Sequence, residues 1–300
     1  MMSDGIGKNR FYLGVDGGGT GCRARLEDEA GNILGQGLSG PATTRLGIEK
    51  AWESIARAFN AAISEAGLDA ERLARTHVGV GLAGIGRQGA LEALQAIPHP
   101  FSSIHFMSDG KGACLGAHSG NDGAIVIAGT GSIGLGFVNG IDIRVGGYGF
   151  PISDEGSGAF LGLSAIQQAL QAHDGRIERT PLLNEVMRRF NQSPMEAVVW
   201  MDRATATEYA SLAPMVMRHA DQGDAAARRI VQAAAGHIDT IVRALFEKGA
   251  PCVTMLGGLA TPLEPWLAPD VRRRLKPADG DAVSGAIILA RTIAFVADKE

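Results

Sequence analysis

The chain has 300 residues, of which 45% are hydrophobic and 20% charged, and its formal net charge at pH 7 is −4. This length suffices for one large domain or two smaller ones, and the slight negative charge argues against a broad nucleic-acid-binding surface. The N-terminus lacks the apolar core of a signal peptide, and the longest apolar stretch, residues 285–297, is too short to span a bilayer. We therefore expect a cytoplasmic protein that binds neither nucleic acid nor membranes.

The cysteine and histidine patterns exclude two further classes. The three cysteines, Cys22, Cys114 and Cys252, are odd in number and far apart. Such a set indicates reduced thiols and not a disulfide framework. The seven histidines show no HxxH or HExxH spacing, so we expect no zinc site.

The first predicted strand, residues 11–15, leads into Asp16, three glycines and a threonine. Glycines let backbone N–H groups approach an anion closely, and a carboxylate beside a phosphate needs a cation between them, so Asp16 suggests Mg²⁺. Because residues 22–28 again predict a strand, the turn is the tip of a β-hairpin. Walker A loops and Rossmann turns are excluded, since both lead into a helix. The alternative is a glycine-rich hairpin without a ligand.

The hairpin is followed by a third strand and a loop that contains Thr43 and Thr44. These hydroxyls either donate to a ligand or only precede a helix. Residues 49–66 carry apolar side chains at helical spacing, and Gly67 supplies the C-terminal stop. Strands and helices then alternate over residues 76–83, 89–97, 103–107 and 111–118.

Asp109 lies between the last strand and helix of this series. Residues at such strand ends often form the sites of open α/β sheets. Aspartate is also a good helix N-cap, and the spacing alone favours that role.

A second hairpin repeats the first about a hundred residues later. Residues 123–128 predict a strand, and the sequence from Gly129 to Gly134 matches GxGxxG. A dinucleotide fold would need a helix next, but residues 133–138 alternate like a strand and Asn139-Gly140 predicts a hairpin turn. Two Gly/Thr tips, one in each of two domains, could hold a polyphosphate from both sides.

The loop at residues 146–158 contains five glycines and the pair Asp154-Glu155. Such a loop is costly to order unless it binds something. The two carboxylates could accept hydrogen bonds from a polyol. Alternatively, they are first-turn acids of the helix predicted over residues 156–172, where the helix dipole favours them.

The remainder of the chain is mainly helical. Helices are predicted over residues 181–190, 194–201, 206–220, 224–248 and 282–296. The last of them is apolar nearly all round and should be buried. A strand over residues 253–256 ends at Gly257 and Gly258, a third glycine turn that suits the nucleoside end of a nucleotide.

Five motifs, taken in order, carry a resemblance to a known family. They are VDGGGT (15–20), SDGKGACLGAH (108–118), AGTGS (128–132), GGYGFPISDEGSG (146–158) and LGGLA (256–260). They resemble the sugar-kinase branch of the actin/Hsp70-like ATPases. More closely, the chain is similar to the N-acetylglucosamine kinases and bacterial glucosamine kinases of the BadF/BadG/BcrA/BcrD ATPase family.

The resemblance implies an α/β fold of the actin/Hsp70/sugar-kinase ATPase superfamily, with two ribonuclease H-like domains and an interdomain cleft that holds ATP and sugar. We expect residues 1–117 and 286–300 in the N-terminal domain. The C-terminal domain would contain residues 118–285 with a helical insertion. We also expect a homodimer.

The resemblance also implies the site residues. Asp16 would hold Mg²⁺ through water, and Asp109 matches the catalytic aspartate that takes the proton of the sugar 6-hydroxyl. The expected ATP-binding residues lie in three glycine turns: Gly17, Gly18, Gly19, Thr20, Thr130, Gly131, Ser132, Gly257 and Gly258. The expected sugar-binding residues are Thr43, Thr44, Asp109, Gly147, Tyr148, Asp154 and Glu155.

The implied activity is transfer of the γ-phosphoryl group of Mg-ATP to the 6-hydroxyl of glucosamine. Glu155 beside Asp154 favours the C2 ammonium of this sugar. The family usually has asparagine where this chain has Thr43, which lacks the paired donor and acceptor of an amide, so N-acetylglucosamine stays open as the substrate. Two functions of a different class also stay open. One is a dehydratase-activating ATPase, which would need cysteines for an iron–sulfur cluster, and the other is a non-catalytic sugar sensor.

Overall fold

The structure is a computed structural model, and it describes residues 10–297. Nine β-strands lie in that part of the chain: β1 (Phe11–Gly17), β2 (Cys22–Asp28), β3 (Ile33–Ser39), β4 (Thr76–Leu82), β5 (Ser103–Ser108), β6 (Gly123–Ala128), β7 (Ser132–Val138), β8 (Ile141–Gly146) and β9 (Val253–Leu256). The strands agree with the predicted ones to within a residue or two at their ends.

The same residues contain thirteen α-helices: α1 (Ile48–Ala66), α2 (Ala70–Leu73), α3 (Ala90–Gln95), α4 (Asp109–Ala117), α5 (Gly158–His173), α6 (Pro181–Arg189), α7 (Pro194–Met201), α8 (Ala206–Ala210), α9 (Ala213–Asp221), α10 (Ala225–Glu247), α11 (Ala260–Leu263), α12 (Pro269–Arg272) and α13 (Ala282–Ala297). Two short 3₁₀ helices lie at Thr44–Leu46 and Glu264–Trp266. Between residues 10 and 297, no helix combines the length and apolar character needed to cross a membrane.

One predicted helix is wrong. Residues 206–220 form two helices, α8 and α9, which are separated at Ser211 and Leu212. Pro214 lies in the first turn of α9, where its missing N–H costs nothing, whereas it would break the interior of a longer helix. The helices α2, α11 and α12 were not expected from the sequence, because four residues are too few to show a helical period.

The chain divides into two compact units. Unit 1 contains the described residues up to Asn121 and from Ala278 onwards, and unit 2 is Asp122–Pro277. The domain limits expected from the sequence lie at 117/118 and 285/286. The return to unit 1 comes earlier in the structure because all of α13, and the turn before it, pack within that unit.

Unit 1 is built on a five-stranded sheet with the order β3-β2-β1-β4-β5. β1 pairs antiparallel with β2 and parallel with β4, which in turn pairs parallel with β5. Leu13 and Val15 of β1 pack in a core with Ile55 of α1. Tyr12 packs against Val283 in a smaller cluster that includes α13. Helices thus cover both faces of the sheet, as expected for parallel strands.

Glycines allow α13 to approach its neighbours closely. A Cβ on Gly79 of β4 would meet the carbonyl of Ala286, and a Cβ on Gly285 of α13 would meet the carbonyl of Gly112. The contact between α4 and α13 is therefore made by backbone against backbone. This contact fixes the helix α4, whose first residue is Asp109.

Unit 2 repeats the sheet order of unit 1 with one strand fewer. Its four strands have the order β8-β7-β6-β9, in which β6 pairs antiparallel with β7 and parallel with β9. The predicted repetition of the strand–glycine turn–strand hairpin is confirmed. The helix α10 packs on β7 and β8, and α5 packs against α6, α8 and α9. Val126, Leu161 and Ile238 are fully buried in the core of this unit.

Candidate functional site

The glycine turn between β1 and β2 has a fixed base and an open tip. The Gly18 N–H donates to the Gly21 carbonyl at 2.9 Å. The Gly18 carbonyl accepts from Ala42 at 2.9 Å, and the Gly17 carbonyl accepts from Ala83 at 2.8 Å. A Cβ on Gly19 would meet nothing within 4 Å, and Thr20 is exposed. The open tip leaves room for a ligand beside the turn, and successive backbone N–H groups in such a turn can bind an anion.

Asp16 comes immediately before this turn and is paired with an arginine. Its Oδ2 lies 2.8 Å from Nη2 of Arg23, and the Asp16 side chain is 19% exposed. The two residues are direct neighbours across β1 and β2. Given that Gly17 pairs with Cys22 at the hairpin tip, the register alone could have revealed the Asp16–Arg23 pair. Arg23 was not among the site residues expected from the sequence.

Asp109 lies at the end of β5, and the structure shows that it does not cap α4. The N-cap is Ser108, whose hydroxyl accepts from the Lys111 N–H at 3.1 Å. The capping role favoured for Asp109 by spacing alone is therefore wrong: Asp109 is the first helical residue. Its Oδ1 accepts from the Gly110 N–H at 2.9 Å.

The surroundings of Asp109 change its acidity. One side of the residue is open to solvent, whereas protein atoms crowd the other side and desolvate the carboxylate. This desolvation raises the pKa of Asp109; the hydrogen bond from Gly110 opposes the rise, and the negative charge of Asp16 adds to it. The two carboxylates are thus close enough to repel each other.

Gly81, which has no side chain, lies between the strand that carries Asp16 and the strand that leads into Asp109. Gly81 of β4 is the register partner of Asp16, and a Cβ on Gly81 would lie 3.7 Å from the Asp109 Cα. Both carboxylates therefore stand at the carboxyl ends of parallel strands, on either side of β4. This is the edge where open α/β sheets bind ligands.

The donor set of unit 1 fits Mg²⁺ bound together with phosphates. Mg²⁺ takes oxygen ligands and is usually held by one or two carboxylates with phosphate oxygens and water. Asp16 supplies such an oxygen beside an open, anion-binding turn. In the described part of the chain, no group of three His, Cys, Asp or Glu residues could hold a metal ion. Asp16 would therefore give the ion only part of its ligands.

Thr43 and Thr44 have structural hydrogen bonds. The Thr43 hydroxyl donates to the Ala83 carbonyl at 3.1 Å, and the Thr44 hydroxyl donates to the Gly84 carbonyl at 2.7 Å. Both residues are buried. Their hydroxyl protons join two loops of unit 1, and the Thr43 oxygen also accepts from the Arg45 N–H at 3.4 Å. Their contact with a sugar stays a prediction.

The glycine turn of unit 2 is held by the start of a helix. The carbonyls of Gly129 and Thr130 accept from the N–H groups of Gly158 and Ala159, at 2.8 and 3.1 Å. These donors belong to the first turn of α5. The helix terminus therefore holds the turn, while the Thr130 residue itself stays exposed.

Ser132 and the third glycine turn both lie beside the glycine turn of unit 2. The buried Ser132 hydroxyl donates to the Glu155 carbonyl at 2.7 Å, which is a structural bond. Gly257 has a φ of +96°, and a Cβ there would strike the Ala128 backbone. The second and third glycine turns thus lie side by side, with the exposed Gly258 next to them.

The loop that contains Gly147 and Tyr148 is ordered by an arginine that the sequence analysis missed. The Arg144 Nε donates to the Gly146 carbonyl at 3.1 Å, and its Nη2 donates to the Gly147 carbonyl. The same guanidinium lies 4.8 Å from the centre of the Tyr148 ring. Tyr148 nevertheless remains 70% exposed, so its ring is presented to solvent.

Asp154 and Glu155 are not first-turn acids of a helix. The helix α5 begins at Gly158, and its N-cap is Ser157, whose hydroxyl accepts from Phe160 at 3.2 Å; the dipole interpretation is therefore wrong. Asp154 has a φ of +68°, and its carboxylate is the first group that a Cβ on Gly131 would meet. Glu155 is exposed.

Comparisons with known proteins agree with this architecture. The chain is 41% identical over 280 residues to the glucosamine kinase GspK of Vibrio cholerae serotype O1, an alignment that covers 93% of this chain and 95% of that protein. A crystal structure of a proposed N-acetylglucosamine kinase from Chromobacterium violaceum matches with a TM-score of 0.82 at 35% identity, covering 94% of this chain and 99% of the other. The ROK hexokinase of Thermus thermophilus shares the fold, with a TM-score of 0.58, 19% identity and coverage of 95% and 99%.

The chain has a mixed α/β fold with two sheets, which it shares with sugar kinases and the actin-like ATPases. The sequence model of the BadF/BadG/BcrA/BcrD ATPase family matches residues 13–290, and this chain belongs to that family. The predicted resemblance, the fold class and the assignment to the ATP-dependent kinases are confirmed.

Proposed function

We propose that this protein transfers the γ-phosphoryl group of Mg-ATP to the 6-hydroxyl of an amino sugar, and that the sugar is glucosamine. The observation that carries the proposal is Asp109, an accessible carboxylate that takes no part in capping its helix. It stands at the same sheet edge as Asp16 and the open glycine turn. The kinase GspK, a relative, acts on glucosamine according to its name.

The glycine turns would bind the nucleotide. In unit 1 the backbone N–H groups of the open turn would hold phosphate oxygens, and in unit 2 Thr130 and Gly131 would do the same. Gly257 and Gly258 would lie near the adenosine. Asp16 would hold Mg²⁺ through water, and the bound ion would neutralise charge on the transferred phosphoryl group.

Asp109 would act as the general base. It would accept the proton of the sugar 6-hydroxyl while that oxygen attacks phosphorus. The pKa of Asp109 is raised by desolvation and by Asp16, which makes its carboxylate a stronger base than an ordinary aspartate. Proton transfer to a positioned carboxylate contributes about 10²–10⁴-fold to the rate.

The sugar would be held by the loop of Gly147, Tyr148, Asp154 and Glu155, with Thr43 and Thr44 from unit 1. A carboxylate near C2 would favour the ammonium of glucosamine over the acetamide of N-acetylglucosamine. Glu155 is the exposed acid of the loop and takes no part in a helix cap. N-Acetylglucosamine kinase activity with the same mechanism is the second candidate. It is favoured by the C. violaceum relative, and it stays open because Thr43 stands where the family usually has asparagine.

The positions of the cysteines speak against a dehydratase activator. Cys22, Cys114 and Cys252 are buried and form no disulfide, and burial raises the pKa of the Cys22 thiol to about 11. A cluster ligand must be a deprotonated thiolate, so a buried thiol with a raised pKa suits that role poorly. A sugar sensor would bind sugar without releasing ADP.

The test is ADP release from Mg-ATP with glucosamine, N-acetylglucosamine, glucose or no sugar. We expect release that depends on glucosamine. 6-Deoxyglucosamine is the matched control, because it lacks only the proposed acceptor hydroxyl and should give no release above background. Preference for N-acetylglucosamine would overturn the choice of sugar, and sugar-independent release would contradict a kinase.

The variant Glu155→Gln tests the choice of sugar separately. It keeps the size of the side chain and removes its charge. We expect the KM for glucosamine to rise about 5–30-fold, the factor for losing one charge-assisted contact of about 1–2 kcal/mol, while the KM for glucose stays unchanged. An equal change for both sugars would contradict recognition of the ammonium by Glu155.

A further inference from the structure

The guanidinium of Arg23 pairs with Asp16, the carboxylate proposed to hold the metal ion. The two residues face each other across the β1–β2 pair, and Nη2 of Arg23 lies 2.8 Å from Oδ2 of Asp16. Asp16 is the carboxylate that we assign to the metal ion. An arginine on that carboxylate and a divalent ion near it repel each other, since two like charges a few ångströms apart cost free energy even at a protein surface.

A second carboxylate is within reach of the same guanidinium. Nη1 of Arg23 lies 3.6 Å from Oδ2 of Asp281, the residue immediately before α13. Asp281 is fixed in place, because its Oδ1 accepts from both the N–H and the hydroxyl of Ser284 at 2.9 Å. Arg23 therefore lies between a carboxylate assigned to the metal and a carboxylate fixed at a helix start.

Arg23 also has room to move. Its side chain is 50% exposed and lines, together with Asp281, a cavity of about 480 Å³ in unit 1. Arg25, two residues further along the same strand, is only 20% exposed and donates to the Ser284 hydroxyl at 2.9 Å. The ion pair of a half-exposed arginine is weak, so an incoming cation can displace it.

We propose that Arg23 is a positioning residue that stands in for the metal ion. In the metal-free protein it neutralises and orients Asp16. When the divalent ion arrives with the nucleotide, the guanidinium leaves Asp16 and pairs with Asp281. This inference rests on the proposed assignment of Asp16 to the metal, and it adds an exchange of partners that the proposed function does not contain.

The exchange predicts opposite effects for two substitutions. Arg23→Gln removes the competing cation, so Mn²⁺ should bind about three- to five-fold more tightly, the factor for a partly exposed ion pair. Asp281→Asn removes the alternative partner and leaves Arg23 on Asp16, so Mn²⁺ should bind about two- to three-fold more weakly. Asparagine caps helices as well as aspartate does, so Asp281→Asn keeps the start of α13.

The measurement is an Mn²⁺ titration of the full chain, followed by the EPR signal of the free ion, with ADP and without it. Arg291→Gln is the matched control: it removes an arginine paired at 3.2 Å with Glu27 on the same strand and should leave Mn²⁺ affinity unchanged. Both expected effects should shrink as the salt concentration rises, because exposed charges are screened.

Three outcomes would overturn the inference. One is weaker Mn²⁺ binding by Arg23→Gln, which would make the arginine a support for the metal site. Another is unchanged Mn²⁺ affinity with a raised KM for ATP, which would make it a phosphate ligand. The third is Mn²⁺ binding that Asp16→Asn does not weaken; the metal assignment then falls as well, while sugar-dependent ADP release still decides the proposed kinase activity independently.

Discussion

The glycine turn of unit 1 and that of unit 2 have the same topology but different surroundings. Each joins two antiparallel strands, and the first strand of each pair lies parallel to a later strand. In unit 1 the tip at Gly19 is open. In unit 2 the carbonyls of Gly129 and Thr130 are occupied by the first N–H groups of α5.

The charges near the two turns differ as well. Asp16 and Asp109 stand at the strand ends beside the turn of unit 1, where desolvation and the negative charge of Asp16 raise the pKa of Asp109. In unit 2 the acid next to the turn, Asp154, is packed against Gly131. We infer that the proposed base, Asp109, and the proposed metal ligand, Asp16, both belong to unit 1, whereas the glycine turn of unit 2 is held by the start of α5.

Removing the carboxylate of Asp109 should have the largest effect. We expect Asp109→Ala to lower kcat by about 10²–10⁴-fold, because the general base is lost, while nucleotide still binds. Steady-state ADP release and nucleotide titration measure the two quantities. The matched substitution in unit 2, Asp154→Ala, should raise the KM for the sugar more than it lowers kcat. Near-normal turnover by Asp109→Ala would contradict the assignment.

The close packing of α4 on α13 gives the next prediction. Gly285→Val places side-chain atoms against the Gly112 carbonyl, so we expect a loss of about 1–3 kcal/mol or more in the free energy of unfolding. Denaturant titration measures it.

The matched control for Gly285→Val is Gly236→Ala in α10 of unit 2, where a Cβ would meet nothing within 4 Å. It should be neutral or stabilising by up to about 1 kcal/mol, because alanine has the higher helix propensity. Equal losses in both variants would show that glycine packing does not hold α4.

The two turns can be compared directly with one alanine in each. Gly19→Ala meets no neighbour in the free protein, so the Tm should stay constant, while the new methyl group crowds the phosphates and raises the KM for ATP by about tenfold, or 1.4 kcal/mol.

In unit 2, Gly131→Ala puts a Cβ 2.6 Å from the Asp154 Oδ2 and should lower the Tm as well, since overpacking costs about 1–3 kcal/mol. Thermal unfolding and ATP kinetics separate the two responses. A lowered Tm for Gly19→Ala would contradict an open tip.

The raised pKa of Asp109 predicts a small effect of pH on stability. A carboxyl group whose pKa is higher in the folded than in the unfolded state destabilises the fold wherever it is ionised. This cost is present at neutral pH and disappears as pH falls below the unfolded value of about 3.9. We therefore expect Asp109→Asn to raise the Tm slightly at pH 7 and not at pH 3. A lowered Tm at pH 7 would contradict desolvation of the carboxylate.

The sequence determined most of the fold. Alternating apolar residues, glycine turns and the Asn139-Gly140 signal gave all nine strands of the described chain and the repeated hairpin, because these patterns are local. Local patterns also gave the long helices. Local patterns gave a wrong prediction at residues 206–220, where the apolar spacing continues through a helix break. They also did not predict the four-residue helices, which are too short to show a period.

The sequence indicated which residues form the candidate site but not which contacts they make. Five ordered motifs identified the family, and strand ends identified Asp16 and Asp109. Ser108 and Asp109 are adjacent and both are of a type that caps helices, so the local sequence did not decide which of them caps α4; in the structure it is Ser108. Only the tertiary structure showed that Thr43 and Thr44 donate to carbonyls forty residues away, and that Asp281 lies within reach of Arg23. The physical reason is that sequence patterns record local backbone preference, whereas the partner of a polar side chain depends on which distant segments the fold brings within 3 Å.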